Sequence, residues 1–248
     1  METHAHHLHH APGKKFRHYF FEFFMLFLAV FCGFLVENYR EHRVEKEREE
    51  QFIKSLSFDL KDDVENLGAL IVREKSGIAS LDTLIDLLDN PQLAKQNGDQ
   101  LYYVSRVGAR SFPFANNSRT FDQLKNSGSF RLIRNSEASN KIMGYYEQFS
   151  TLRLLEDNFN HEFDNFKHVA AKVFDPGILR KLENENGEIQ RSNFNPSLRT
   201  YDIELLKETE YHAVHMNGSR RFKIKLLDNL KKNAEDLSEY LKKEYHLE

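Results

Sequence analysis

Apolar and polar positions are distributed unevenly along this chain. Residues 20–36 read FFEFFMLFLAVFCGFLV, and from position 23 to 36 there are only apolar residues, Cys32 and Gly33. At a rise of about 1.5 Å per residue, that uninterrupted run covers only ~21 Å of a hydrocarbon core ~30 Å thick. Counted from Tyr19 to Tyr39, the helix reaches about 31 Å, with a tyrosine near each interface where amphipathic rings are favoured. Glu22 then sits about one turn from the edge, where a charge costs much less than at the centre. Lys14, Lys15 and Arg17 precede the stretch and can snorkel to headgroups. Phenylalanines at 20, 21, 23, 24, 27, 31 and 34 leave no polar face for water, which argues against a core helix. The pattern predicts a membrane-spanning helix over residues 19–39. A removable signal peptide is the rival reading. The run contains no small-x-small pair at its end, and Phe31 stands where a lipoprotein site ahead of Cys32 requires a small residue.

After the span, residues 37–50 mix both charge signs, with Arg43–Glu47 and Lys46–Glu50 spaced i,i+4, so the helix is expected to continue with a solvated face. Apolar residues then recur at Phe52, Leu56, Leu60, Val64, Leu67 and Ile71, and again at Ile78, Leu81, Ile85 and Leu88. Steps of three, four and seven predict one apolar stripe on a long helix or a closely joined pair, ended by Asn90-Pro91. Such a stripe can pack within a bundle or form a parallel coiled coil between chains. A short helix is predicted around Leu101 to Val107, then an extended piece at Ser111-Phe112-Pro113-Phe114. Asn117 or Ser118 can cap a helix over 119–126, which Gly128 terminates, before a strand-like piece at Phe130, Leu132 and Ile133. A second long amphipathic helix follows from near Asn135-Ser136, with Ile142, Tyr145, Tyr146, Phe149, Leu152, Leu155, Phe159, Phe163, Phe166 and Val169 on its stripe. It should end near Asp175-Pro176-Gly177. Residues 183–195 read as a surface loop or mobile excursion. A third long helix starts from Asp202, with Leu205, Leu206, Val214, Phe222, Leu226, Leu230, Leu237 and Leu241 on or near one face, and a break or kink at Asn217-Gly218-Ser219. The expected fold is all-α, one N-terminal transmembrane helix continuing into a long-helix bundle. Its parts are a His-rich basic tail (1–18), the span (19–39) and a soluble helical bundle domain (40–248). No second apolar span follows in the sequence, which speaks against a two-span receptor.

Composition narrows the chemistry. The net charge is −3, so no basic field points to nucleic acid. Cys32, the sole cysteine, falls in the span, which leaves the soluble part without disulfides or thiolate zinc sites. His4, His6, His7, His9 and His10 crowd the N-terminal tail and are weak candidates for metal ligands, because closely spaced imidazoles bind Ni²⁺, Cu²⁺ or Zn²⁺. Flexible histidine tracts do so whether or not biology uses them. His212 and His215 lie near Glu208 and Glu210, and His161, Asp164 and His168 share a helix face. Neither set has the Glu-x-x-His pattern of di-metal bundles, so solvated or interface histidines are expected. There is no phosphate-cradling glycine motif and no nucleophile elbow, hence no enzymatic activity and no cofactor is expected. Within the span, Ala29 and Gly33 are four apart, a small-xxx-small face that lets two helices approach.

A Glu-containing apolar span running into Glu37-Asn38-Tyr39-Arg40-Glu41 resembles the start of an uncharacterised family of bacterial single-span membrane proteins. The same holds for Leu124-Lys125-Asn126-Ser127-Gly128-Ser129-Phe130-Arg131-Leu132-Ile133, within 120–135, followed by Tyr145-Tyr146. Members carry a span, a charged helix and a Leu-x-x-Ser-Gly-x-hydrophobic-x-Leu-Ile segment ahead of a second helix. This span is richer in Phe, and Tyr39 stands where many relatives have Trp. The resemblance covers the first two thirds of the chain and implies the architecture alone, since the family has no established activity.

The expected function is a membrane-anchored protein-interaction or structural module, with the lipid bilayer and a protein partner or second copy as its partners. The alternative is a metal-handling membrane protein using the histidine tract. Orientation cues conflict. Three Lys/Arg flank the span on its N-terminal side, against five between Arg40 and Lys54, which puts the domain in the cytoplasm by the positive-inside rule. A short basic tail ahead of a first span instead resembles an uncleaved signal anchor in a bacterial inner membrane, which exports the domain to the periplasm.

Overall fold

The computed structural model describes residues 12–247, so the histidines at positions 4–10 lie outside the described residues. Among the described residues the chain is helical, with one isolated bridge between Glu183 and Ile189. It comprises α1 (Pro12–Leu88), α2 (Pro91–Gln96), α3 (Gly98–Ala109), α4 (Arg119–Asn126), a 3₁₀ turn (Ser129–Leu132), α5 (Ser136–Val173), α6 (Pro176–Lys181) and α7 (Ile203–Glu244). Two compact units divide the chain, residues 1–51 and 52–248.

In the first unit, every described residue from 16 to 43 is exposed. Among the described residues nothing covers the apolar segment: an 18-residue window of mean hydropathy 2.2 is 0% buried. This helix is long and apolar enough to cross a membrane. Its phenylalanines stack on one another along the helix, with Phe20–Phe24, Phe23–Phe27 and Phe27–Phe31 centroids at 6.3, 6.5 and 5.9 Å. Each pair is i,i+4, the spacing that places rings over one another.

The second unit is built on three long helices: the later part of α1, α5 and α7. Their apolar residues form two clusters. One joins Ile53–Ile71 positions of α1 to Ala138, Ile142, Tyr145 and Leu152 of α5 and to Leu227, Leu230 and Leu237 of α7. The other joins Leu81, Leu84 and Leu88 to Phe159, Phe166 and Val173, and to Leu206, Ala213 and Met216. The order of these residues makes α1 and α5 run parallel and α7 antiparallel to both. Such an arrangement requires the chain to travel back from the second cluster to the first between α1 and α5, and residues 110–118 do so as a strap outside any helix.

Local chemistry accounts for most helix ends. Asn90 caps α2, Asn135 caps α5, Asp175 caps α6 and Asp202 caps α7, each accepting from backbone amides of the first turn. Gly128 takes φ 66°, the left-handed conformation that glycine adopts without strain, just after α4. Four local expectations are corrected. Phe130 and Leu132 lie in a 3₁₀ turn, not a strand-like piece. The Ser118 side chain makes no capping bond to α4. Helix α7 runs unbroken through Asn217-Gly218-Ser219, because Asn217 is buried and donates to Asp82 Oδ1 at 2.6 Å. Val214 and Phe222 are exposed rather than on the buried face.

The connection before α7 is tied down at its end. Asn195 Oδ1 accepts from Gly98 N at 2.6 Å while its Nδ2 donates to Lys95 O at 2.8 Å. Pro196 packs so near α3 that a Cβ at Gly98 would collide with its carbonyl oxygen. Tyr102 OH accepts from Asp175 N at 2.8 Å and donates to Ser197 O at 3.1 Å, clasping the segments on either side of α6.

Candidate functional site

Between the two apolar clusters the three long helices bury charge instead of hydrocarbon. Glu74 of α1, Glu156 of α5, and Arg220 and Lys223 of α7 are all buried, two acids facing two bases. Arg220 Nη1 donates to Glu74 Oε2 at 2.6 Å. Lys223 Nζ forms an ion pair with Glu156 Oε1 at 2.9 Å, and it sits 3.1 Å from Glu74 Oε1. That last contact lacks hydrogen-bond geometry and is an ion pair only. Burial pulls the Arg220 guanidinium below its ordinary pKa, with the neighbouring Glu74 charge opposing the shift. The guanidinium also lies over the Phe159 ring at 5.0 Å. Helix α1 admits it because position 77 is glycine: a Cβ there would come 2.8 Å from Arg220 Cζ.

The strap is held by this same layer. Arg220 Nη2 donates to the carbonyls of Gly108, at 2.9 Å, and Arg110. Lys223 Nζ donates to Phe112 O at 2.9 Å, and Phe114 N donates to Glu156 Oε1 at 3.1 Å. Backbone outside helices has no ladder or helix of its own to pair with, so the buried charges satisfy its polar groups. Further along, Asp63 Oδ1 accepts from Asn117 N at 2.7 Å and its Oδ2 from Tyr145 OH at 2.8 Å. Asp59 accepts from Thr120 N and Arg119 Nη2, each at 3.0 Å. The amide-capping role the sequence assigned to Asn117 or Ser118 is thus performed by a carboxylate of α1, a favourable charge at a helix N-terminus. Burial raises the pKa of Asp63, its two hydrogen bonds oppose this, and Asp59 and Asp62 push it further up. Burial raises the Tyr145 and Tyr146 phenols strongly as well, with the Asp63 charge adding to it.

Sequence reasoning missed this layer, although a signal was present. Glu74 falls between Ile71 and Ile78 in the apolar register of α1, and Glu156 falls between Leu152 and Phe159 in that of α5. Arg220 and Lys223 likewise lie between Met216 and Leu227. A charge repeated at core positions of three helices marks ions that pair with one another. A neutral cluster of this kind orders the helices in register and seats the strap, although Glu74 Oε1 and Arg220 Nε have no hydrogen-bond partner.

The candidates read from sequence are placed elsewhere. Ala29 lies exposed on α1, and a Cβ added at Gly33 would meet nothing within 4 Å. His161, Asp164 and His168 are exposed on α5, where Asp164 pairs with Lys167 at 2.6 Å. His212 Nδ1 is 3.5 Å from Glu162 Oε2, and the His215 ring packs 4.5 Å from Tyr211. Among the described residues no group of three or more His, Cys, Asp or Glu is arranged to hold a metal ion. Comparison with protein families, with characterised proteins and with solved structures finds no match to this chain.

Proposed function

We propose that this protein is a single-span membrane protein whose helical domain works by binding other proteins or a second copy of itself. The observation that carries the reading is the apolar segment around residues 19–39, which is exposed along its whole length. An apolar surface of that extent in water is a liability, and a lipid bilayer removes the liability. The resemblance to bacterial single-span proteins supports an inner-membrane location. Lys14, Lys15 and Arg17, just ahead of the span, support a periplasmic domain.

Self-association through the span is supported by Ala29 and Gly33, which lie four apart and are both exposed on α1. The Gly33→Ile variant is expected to weaken the dimerisation constant in membranes by about tenfold, the equivalent of ~1.4 kcal/mol, read as a lower cross-linked dimer fraction. Unchanged cross-linking would dispose of this face as the contact. Impermeant thiol labelling of cysteines introduced into the domain reports the compartment: labelling of intact spheroplasts supports the periplasm, and labelling only after lysis places the domain in the cytoplasm.

A further inference from the structure

A pocket of about 410 Å³ opens between α3, the second half of α5, and α6. That volume lies within the range of small-molecule sites, roughly 300–1,000 Å³. Its floor is hydrocarbon, formed by Phe163, Phe166, Ala170, Phe174 and Leu179. Phe166 and Phe174 are buried and make rigid walls, whereas Ala170 and Ala171 leave the space between them open. The floor's one hydroxyl, on Ser105, already donates to Tyr102 O at 3.0 Å. A ligand body lying on this floor therefore meets no free polar group and must itself be hydrocarbon.

The rim has the opposite character. Among the described residues Arg106, Arg110, Lys167 and Arg199 line it, and no acidic side chain does. Two of these cations are already paired outside the pocket, Arg106 with Glu183 at 2.8 Å and Lys167 with Asp164 at 2.6 Å. Among the described residues the other two hydrogen-bond to carbonyls: Arg110 Nη2 reaches Gly187 O at 3.5 Å, and Arg199 Nη1 donates to Ala171 O at 2.5 Å. Each keeps guanidinium donors that those bonds do not use, in the planar fork that matches a carboxylate.

We propose that this pocket binds a medium-chain fatty acid, with its carboxylate between Arg110 and Arg199 and its alkyl chain on the phenylalanine and alanine floor. The site lies wholly within the domain of residues 52–248, so it stands or falls separately from the membrane reading.

The test uses the full chain in lipid nanodiscs, with empty nanodiscs as the blank, and equilibrium uptake of labelled decanoate. Saturable uptake of one decanoate per chain beyond the blank is expected, with decanol and butyrate each bound at least about tenfold more weakly. Those two ligands remove the charge and the chain in turn. Replacing both rim cations (Arg110→Gln with Arg199→Gln) is expected to weaken decanoate by about tenfold or more, as the loss of a charge-assisted hydrogen bond implies. Ala170→Phe fills the cavity and should abolish uptake. The proposal is overturned if uptake equals the blank, if decanol binds as tightly as decanoate, or if Ala170→Phe binds normally with its circular dichroism unchanged. Should Ala170→Phe not fold, the double arginine variant decides, since both side chains are exposed and their loss leaves the core intact.

Discussion

The buried ion layer makes a sharp prediction at Arg220. Replacement by Met keeps much of the volume and removes the charge. The guanidinium is 1% exposed, and the Glu74 carboxylate it pairs with is fully buried. The variant leaves two acids facing Lys223 alone, a net buried charge of −1, and it strips the carbonyls of Gly108 and Arg110 of their donor. Breaking one side of a buried ion pair costs about 3–5 kcal/mol, a large share of the roughly 5–15 kcal/mol that holds a domain together. For a unit of this size the midpoint should fall by about 6–20 °C, at ~2–4 °C per kcal/mol. Thermal unfolding of the full chain in detergent micelles, followed by circular dichroism, measures it. A second variant separates charge from packing. Combining Arg220→Met with Glu74→Leu restores neutrality, leaving Lys223 with Glu156, and should recover about 1–3 kcal/mol of the loss. A midpoint for Arg220→Met within about 2 °C of wild type (under ~1 kcal/mol) would refute the reasoning, as would a double variant no better than the sum of its parts.

Asp63 supplies a pH signature. Its folded-state pKa is raised, so between the ordinary carboxylate value and the raised one the folded chain holds more protons than the unfolded chain. Wild-type stability relative to Asp63→Asn should therefore decline as pH rises from about 4 and then level off; a difference that stays flat or grows with pH contradicts the assignment. Gly98→Ala should cost about 1–3 kcal/mol, read as a lowered urea midpoint, because its Cβ has no room against the Pro196 carbonyl. An unchanged midpoint would mean that the 195–198 segment is not clamped to α3.

Much of the helical framework was legible, because capping residues and apolar steps act locally. Asn90-Pro91, Asn135, Asp175 and Asp202 each mark a helix boundary by satisfying amides two or three residues away. Where the deciding partner is distant, the same reasoning failed. Ser118 has the right chemistry to cap α4, yet Asp59, 61 residues from Thr120, accepts the amide instead. Asn217-Gly218 carries a breaker's composition, yet the buried bond to Asp82, 135 residues away, holds the helix through it. The ion layer lay hidden for a related reason. A glutamate on a helix is ordinarily solvated, and only the positions of Arg220 and Lys223 on another helix make Glu74 and Glu156 core residues. No local rule pairs residues 146 apart.

The apolar helix ahead of that domain has no covering among the described residues, so its solvent decides what the molecule is. Separation of detergent-free lysate by ultracentrifugation, with an alkaline carbonate wash of the pellet, asks this directly. The full-length protein should stay with the sedimented membranes through the wash and be released only by detergent. Recovery of the intact chain in the soluble fraction would contradict the account.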